Sequence, residues 1–334
     1  MLAHEEKQVE ELIHQLPKSG ILGSQYRSII QYQNFWFPGY LLIENILKCQ
    51  KHFKAKDNDL IIASHPKTGT TWLNTLLFAI VNRANGNHPM SESPILSQHP
   101  HHLVNRLEDV NFGGGFYNQL SSSQLDDIPS PRILGTHFPY VLLPESIKTS
   151  NYCRILYICR NPFDTLVSQW HFYNKVLIDL DGEQTLKPYT FEQFFEDWFE
   201  GRILFGPFFE HVTDYWVQSL ANPKKVLFLK YEDLKENPTV HLKRMADFVG
   251  MPFSIEEESR GVIREIIEMC SINNMKELDV NKNGLNYYGV EKKAYFRKGE
   301  VGGWINYFTP PMIERMNKLM QQKLQGTGLT FKLV

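Results

Sequence analysis

Residues 59–83 form the segment that most constrains the fold of this chain, because they read as an apolar strand, a tight turn and a buried helix. The turn contains one lysine, one glycine and three threonines: Lys67, Thr68, Gly69, Thr70 and Thr71. A helix N-terminus presents unpaired backbone N–H groups and the positive end of the helix dipole. The segment therefore predicts a binding site for a phosphate-like anion.

The order of residues in this turn differs from that of the Walker A loop, G-x-x-x-x-G-K-S/T. Lys67 precedes the only glycine, Gly69, by two residues, and no earlier glycine opens the turn. This order argues against an ordinary ATPase. A magnesium-dependent phosphotransferase, with Glu232 and Asp233 as metal ligands, is one alternative, and a non-catalytic nucleotide-binding protein is another.

Two more apolar strands, at residues 154–159 and 226–229, are each followed by a polar turn and a periodic helix. Short apolar strands that alternate with helices are typical of a parallel sheet covered on both faces. In such sheets ligands bind beyond the carboxyl ends of the strands, where these polar turns would lie. We therefore expect one α/β domain, with the irregular segments 89–102, 111–120 and 179–189 as lid and pocket loops.

Two further basic clusters follow the strands. Arg160 ends the second strand, and Ser168 lies on the polar face of the next helix. Arg297, Lys298 and Gly299 form a basic segment in which the glycine allows close backbone approach to an anion. Each cluster alone is typical of an ordinary surface. In combination with the first turn, they predict an anion site that the sheet assembles from three parts of the chain.

Histidine is the side chain best suited to general-base catalysis near neutral pH, and His137 lies in a short extended stretch that ends at Pro139. A lone histidine is more commonly structural or exposed. The H-P-H-H group at residues 99–102 fits no zinc motif, so we expect it in a solvated loop.

The charge and cysteine content exclude several classes of protein. There are 35 basic and 37 acidic residues, and this balance argues against general attraction to nucleic acid or to an anionic membrane. The four cysteines show no C-x-x-C spacing, which is typical of a reducing compartment. The N-terminus does not resemble a signal peptide, and no apolar stretch is long enough to span a bilayer. We expect a cytoplasmic protein that binds neither nucleic acid nor membrane.

Five motifs resemble those of the soluble, cytosolic-type sulfotransferases, and more closely their plant branch. They are P-K-T-G-T-T-W at 66–72, G-T-H at 135–137, Y-I-C-R-N-P-F-D-T-L-V-S at 157–168, L-K-Y-E-D-L-K-E-N-P at 229–238 and F-R-K-G-E-V-G-G-W at 296–304. This family transfers a sulfuryl group from 3′-phosphoadenosine 5′-phosphosulfate (PAPS) to hydroxyls of small molecules and releases 3′-phosphoadenosine 5′-phosphate (PAP). The resemblance runs from Trp36 to Leu329.

The resemblance implies a P-loop-like parallel sheet with helices on both faces, in one domain with irregular substrate loops. Within it, an N-terminal helical and pocket segment, 1–55, would pack on a sulfotransferase core, 56–334. A small hydroxylated acceptor is the expected partner. The short dimer motif of animal relatives is largely lost after Trp304, so a monomer or a weak homodimer is expected.

The resemblance also implies roles for individual residues. His137 would be the general base, Lys67 would stabilise the leaving group, and no metal would be required. The remaining roles concern the donor: Lys67, Thr68, Gly69, Thr70, Thr71 and Trp72 would hold its 5′ end, Arg160, Ser168, Arg297, Lys298 and Gly299 its 3′-phosphate, and Tyr231 its adenine.

Three positions depart from the family pattern. Gly135 stands where many animal members carry lysine, Ile272 stands where a phenylalanine usually covers the adenine, and Gly303 replaces an aspartate. Aromatic residues in the loop-rich parts predict a pocket for a flat or apolar hydroxylated acceptor: Phe35, Trp36, Phe37, Phe112, Phe116, Tyr117, Phe138, Tyr140 and Tyr173. Flavonoids, steroids, hydroxyjasmonates and other phenols or alcohols all remain candidates.

Overall fold

A five-stranded parallel sheet forms the centre of the computed structural model, which describes residues 2–21, 24–84, 90–111, 120–180, 188–286 and 289–334. The strands in these ranges are β1 Lys18–Ile21, β2 Ser24–Tyr32, β3 Phe35–Pro38, β4 Leu60–Ser64, β5 Asn105–Arg106, β6 Val110–Asn111, β7 Leu120–Ser121, β8 Ile133–Thr136, β9 Arg154–Cys159 and β10 Val226–Lys230. The central sheet has the order β10-β9-β4-β8-β5. All four of its pairings are parallel, which confirms the predicted sheet.

Helices cover both faces of the sheet. They are α1 Leu2–Gln15, α2 Gly39–His52, α3 Thr70–Ala84, α4 Pro100–Leu103, α5 Ser122–Asp126, α6 Glu145–Thr149, α7 Pro162–Leu180, α8 Phe191–Phe199, α9 Phe208–Ala221, α10 Tyr231–Glu236, α11 Pro238–Phe248, α12 Ile255–Ser259, α13 Val262–Met269, α14 Ile272–Glu277, α15 Asp279–Lys282 and α16 Pro310–Leu324. Side chains of a strand alternate between the two faces. Accordingly, Ile61 and Ala63 belong to one hydrophobic cluster, and Leu60 and Ile62 belong to the other.

The topology brings the predicted polar turns together. Strand β9 has the predicted bounds, and β10 extends one residue further, to Lys230. Because β10, β9, β4 and β8 are neighbours and parallel, their carboxyl ends meet at one edge of the sheet. The turns that follow these strands contain Lys67, His137, Arg160 and Tyr231.

A second sheet precedes the central one and was not predicted. Strands β1, β2 and β3 form an antiparallel sheet between α1 and α2. The turn between β2 and β3 places Gln33 and Asn34 at positive φ, 46° and 66°. Tight hairpin turns of this kind usually carry Asn-Gly or Asp-Gly, so Gln-Asn gave no clear hairpin signal.

Candidate active site

The loop after β4 has a conformation that depends on its glycine. Lys67 and Gly69 both have positive φ, 71° and 122°. A Cβ atom on Gly69 would lie 2.9 Å from side-chain atoms of both Ile158 and Tyr231, so a larger residue would push the loop away from the sheet. The Thr68 hydroxyl donates to the carbonyls of His65 and Ile158, at 2.7 and 2.9 Å. Thr68 therefore ties the loop to β9 and does not line the cavity.

Three of the cations predicted for the anion site line one cavity of about 780 Å³: Lys67, Arg160 and Arg297. Arg106 and Lys235 also line it. Burial, followed by the charges of Arg297 and Arg160, lowers the pKa of Lys67 to about 7. The pKa of Arg297 is also lowered, by burial and then by Arg160. Lys67 Nζ lies 3.9 Å from the centre of the Phe172 ring, a cation–π contact. Mutually repelling cations in a shared cavity form a strong site for a multiply charged anion.

Carbonyl, carboxylate and aromatic groups hold Arg160 in this position. Its guanidinium donates to the carbonyl of Glu300, lies 3.4 Å from Asp164 Oδ2 and stacks 4.7 Å from the centre of the Tyr231 ring. The Tyr231 hydroxyl donates to the Gly299 carbonyl at 3.0 Å. These contacts link β9, α10 and the late basic segment into one rigid wall.

Other predicted donor residues lie on the same cavity, with one exception. Thr70, Thr71, Trp72, Ser168, Tyr231 and Gly299 all line it. The Trp72 and Tyr231 rings meet edge to face, with centroids 5.4 Å apart. Ile272 also lines the cavity and packs tightly against Gly299, where an added Cβ would come within 2.6 Å of Ile272 Cδ1. Lys298 is exposed and does not line the cavity.

His137 lies on the same cavity, and its hydrogen bonds determine its tautomer. Nδ1 lies 2.7 Å from the Ser64 carbonyl, an oxygen that can only accept, so Nδ1 carries the proton. Burial, followed by the charge of Arg106, holds the pKa of His137 well below its ordinary value. The imidazole is therefore neutral at pH 7, and its Nε2 lone pair is available to accept a proton.

Two hydrogen-bonding systems that were not predicted position His137. Glu108 accepts the backbone N–H of His137 and, at 3.2 Å, the hydroxyl of Thr136. On the other side, His211 Nε2 donates to the His137 carbonyl at 3.0 Å, and His211 Nδ1 accepts from the Tyr157 hydroxyl at 2.9 Å. These partners are distant from His137 in the sequence and belong to no local motif, so no sequence signal identifies them.

The histidine group at residues 99–102 was predicted to lie in a solvated loop, and this prediction was wrong. Pro100 begins the short helix α4, and the His99 side chain caps it by accepting from the backbone N–H of His101. His99 is fully buried, and His101 lines the cavity. His101 Nε2 lies 3.0 Å from the Thr71 hydroxyl, so α4 contacts the first residues of α3 directly.

The part of the cavity next to His137 combines an apolar and a polar wall. Apolar side chains come from α2, α7 and the segment before α9: Leu42, Phe172, Tyr173, Val176, Leu204 and Phe205. Polar side chains come from α2 and the β5 region: Asn45, Arg106, Glu108 and Asp109. Tyr173 therefore lies where it was predicted. In contrast, Phe35, Phe37 and Phe138 belong to the hydrophobic core, while Phe112, Phe116 and Tyr117 lie outside the described residues.

The two carboxylates proposed as alternative metal ligands have other partners. Glu232 accepts the backbone and side-chain N–H groups of Asn161, both at 2.9 Å, and Asp233 pairs with Lys332 at 3.0 Å. Within the described ranges, no three His, Cys, Asp or Glu side chains are grouped as a metal site would require. In those ranges, no helix combines the length and the apolar character needed to cross a membrane.

Comparison with known proteins places these features in a family context. Residues 57–328 match the family model of the sulfotransferase domain. Cytosolic sulfotransferase 13 of Arabidopsis thaliana is 40% identical over 325 residues, which cover 97% of this chain and 94% of that protein. A flavonol sulfotransferase-like protein of Flaveria bidentis is 42% identical over 330 residues, which cover 97% of this chain and all of that protein.

Solved structures show the same similarity. An Arabidopsis thaliana protein provisionally described as a steroid sulphotransferase superposes with a TM-score of 0.72 at 35% identity, and the match covers 98% of both chains. A mouse sulfotransferase complexed with PAP superposes with a TM-score of 0.64 at 26% identity, covering 89% of this chain and 94% of that one.

Proposed function

This chain belongs to the sulfotransferase family and is a PAPS-dependent sulfotransferase, and we propose that it sulfates a hydroxyl of a small, largely apolar acceptor with His137 as the general base. The observation that carries this proposal is the shared cavity, in which a neutral histidine lies beside three converging cations. Nucleotide binding without catalysis does not explain why a neutral histidine lies in the cavity, and the carboxylates that a magnesium-dependent phosphotransferase would need, Glu232 and Asp233, are bound to Asn161 and Lys332.

The cavity offers separate sets of binding groups for the two charged ends of the donor. PAPS supplies a transferable sulfuryl group at its 5′ end and a phosphate at its 3′ position. We assign the 5′ end to Lys67, Thr70 and Thr71, because they lie at the N-terminus of α3. We assign the 3′-phosphate to Arg160, Ser168 and Arg297, together with the backbone at Gly299. Trp72 and Tyr231 supply aromatic surface for the adenine.

Two predicted donor residues receive narrower roles in this proposal. The Thr68 hydroxyl donates to two carbonyls and its backbone N–H donates to the His65 carbonyl at 3.4 Å, so Thr68 is assigned the role of holding the anion loop in shape. Lys298 is exposed and is assigned a long-range electrostatic role in attracting the donor. Gly69 is assigned the role of allowing the backbone conformation of the loop, because a Cβ at this position would lie 2.9 Å from Ile158 and Tyr231.

The proposed mechanism is in-line transfer with proton abstraction. The acceptor hydroxyl gives its proton to Nε2 of His137 as its oxygen forms a bond to sulfur and the bond from sulfur to the 5′-phosphate oxygen breaks. Negative charge develops on the departing phosphate, where Lys67 and the N–H groups of the loop stabilise it. Glu108 and His211 hold the backbone of His137, so the base requires little reorganisation during the reaction.

The names of the relatives include the word cytosolic, which supports the cytoplasmic location expected from the sequence. The acceptor classes in the comparisons, a flavonol and a steroid, are both hydroxylated and largely apolar. They support the same general class here. A monomer or weak homodimer remains our prediction for the assembly.

The test uses radiolabelled PAPS, a panel of hydroxylated acceptors and a chelator to remove divalent metals. Replacement of His137 by Ala should lower turnover by about 10²–10⁴-fold, the usual contribution of a general base, and leave the dissociation constant for PAP almost unchanged. His52→Ala is the matched control, since His52 is exposed on α2 and should retain wild-type turnover. Substantial turnover in the His137 variant would show that another group is the base. PAP binding without transfer to any acceptor would favour a non-catalytic role.

A further inference from the structure

The His101 side chain lies against the N-terminus of α3, where the 5′ end of the donor is assigned. We propose that His101 is a positioning residue for the donor: its Nε2–H donates to the Thr71 hydroxyl, so that the single proton of that hydroxyl is directed to the 5′-phosphate of PAPS. This inference rests on the proposed function, from which it takes the donor site at Thr71. It adds a residue that belongs to none of the five sequence motifs.

The distance between the two side chains and their place in the fold support this contact. His101 Nε2 lies 3.0 Å from Thr71 Oγ1, within the range of a hydrogen bond. Thr71 is the second residue of α3, and both residues line the cavity. A hydroxyl in the first turn of a helix lies beside the unpaired backbone N–H groups of that turn, so it can reach the same anion as they do.

The number of available protons determines the direction of this hydrogen bond. A hydroxyl has one proton to donate, whereas an ionised phosphate oxygen can only accept. If the Thr71 proton goes to the phosphate, the hydroxyl oxygen must accept from His101, and Nε2 must carry the proton. The opposite tautomer would take the Thr71 proton and turn the oxygen lone pairs toward the anion. Burial, followed by the charges of His99 and Arg106, holds the pKa of His101 well below its ordinary value, so the imidazole is neutral at pH 7 and has one N–H to place.

Backbone and ring contacts hold the His101 imidazole in this position. The backbone N–H of His101 donates to Nδ1 of the buried His99 at 3.3 Å, and this bond caps the start of α4. The centre of the His101 ring lies 4.5 Å from that of Tyr295 and 5.4 Å from that of His99. Rings packed this closely leave the imidazole little freedom to turn. Nε2 therefore stays beside Thr71 before the donor binds.

The neighbouring threonine has an equivalent partner. Thr70 Oγ1 lies 2.6 Å from Ser64 Oγ, a hydroxyl that can donate to it in the same way. Each of the two hydroxyls at the start of α3 thus has a side chain able to donate to it, and each can give its own proton to the anion. This arrangement orients both hydroxyls in advance. It becomes more favourable as negative charge develops on the departing phosphate.

The experiment compares two ligands that differ only at the 5′ end: PAP, and adenosine 3′-phosphate, which lacks the 5′-phosphate. Their dissociation constants are measured by calorimetry at one pH and one salt concentration. His101→Phe keeps an aromatic ring against Tyr295 and removes the N–H. It should weaken PAP binding about three- to tenfold, the usual effect of one hydrogen bond, and leave the affinity for adenosine 3′-phosphate within about twofold.

Further variants separate positioning from structural effects. His101→Gln supplies an amide N–H in place of the imidazole N–H, and its PAP affinity should stay within about twofold of the wild type. In a Thr71→Val background, His101→Phe should cause no further loss, because the two residues act through one hydroxyl. His102→Phe is the matched control, since His102 lies on the same helix and does not line the cavity. It should bind both ligands as the wild type does.

¹⁵N NMR of the histidine-labelled wild type reads the tautomer directly, and it keeps the inference testable if His101→Phe fails to fold. In the PAP complex, His101 should be protonated at Nε2, its signal being the one that is absent in His101→Gln.

Three results would overturn the inference. The first is an unprotonated Nε2 in the PAP complex. The second is an equal loss of affinity for both ligands in His101→Phe, which would mean that His101 only maintains the shape of the cavity. The third is a further loss from His101→Phe in the Thr71→Val background, which would mean that His101 does not act through that hydroxyl. The proposed function fails separately, if the wild type transfers no label from PAPS to any acceptor of the panel, whatever its binding of PAP.

Discussion

The depressed pKa of Lys67 predicts that binding of PAP is coupled to proton uptake. Burial and the charges of Arg297 and Arg160 lower this pKa to about 7 in the protein without ligand, from an ordinary value of 10.5. At pH 8.5 roughly 3% of Lys67 is then protonated, as follows from the difference between pH and pKa. A bound bisphosphate neutralises the neighbouring cations and returns the pKa toward 10.5, so nearly every complex carries a protonated lysine. We expect an uptake of about one proton per PAP bound.

The sign of the pH dependence follows directly. The complex holds more protons than the free protein between pH 7 and 10.5, so the affinity for PAP falls as pH rises through this window. The expected slope is about tenfold per pH unit, or ~1.4 kcal/mol. The phosphates of PAP are already ionised at these values, so they do not contribute the same effect.

Calorimetry in two buffers with different ionisation enthalpies measures this uptake, because the apparent binding enthalpy then differs by the protons taken from the buffer. Lys67→Arg is the matched control: arginine stays protonated, so it should bind PAP without proton uptake. Lys67→Met should bind more weakly, also without uptake. An enthalpy that is independent of buffer in the wild type, or an equal uptake in Lys67→Met, would refute the assignment.

Two predictions concern stability and the shape of the anion loop. Gly69→Ala should weaken PAP binding more than tenfold, because the new Cβ would lie 2.9 Å from two side chains at a residue with positive φ. Gly326→Ala controls for backbone strain, since Gly326 also has a positive φ but no atom within 4 Å of its Cβ position. Similar PAP affinities in the two variants would contradict this reason. Asp59→Asn should lower the free energy of unfolding by about 3–5 kcal/mol. It removes the buried counter-charge of Arg132, whose guanidinium lies 2.8 Å from Asp59 Oδ1, and leaves only the exposed Asp126 at 3.6 Å. Denaturant unfolding measures this, and a loss below ~1 kcal/mol would count against it.

The central sheet and the anion loop were predictable because their signals are local. An apolar strand followed by a polar turn and a periodic helix needs only about 25 contiguous residues to be recognised, as in residues 59–83. Parallel topology then requires that the turns after neighbouring strands lie at one edge. Lys67, Arg160 and His137 could therefore be expected to converge, even though they are far apart in the sequence.

The residues that position His137 could not be predicted, because their contacts are not local in the sequence. His211 and Glu108 contact His137 from elements distant in the sequence, and neither lies in a recognisable motif. The helix at residues 100–103 is also too short for periodicity to reveal it, so the capping role of His99 and the contact of His101 with Thr71 emerged only in three dimensions.

Only a few residues line the part of the cavity proposed for the acceptor, so the amino-acid composition of the whole chain predicts little about the acceptor. The aromatic content of 13% suggested an aromatic pocket, but Phe37 and Phe138 are fully buried in the core and contribute nothing to the cavity surface. In the proposed mechanism, the oxygen that attacks sulfur lies beside His137, near the point where Arg106 and Gly135 pair across two strands. Because the proposed donor contacts lie after β4, after β9 and in the late basic segment, a change at position 106 or 135 can alter the proposed acceptor edge of the cavity and leave the proposed donor site intact. Acceptor preference can therefore diverge rapidly among relatives whose anion loops remain alike.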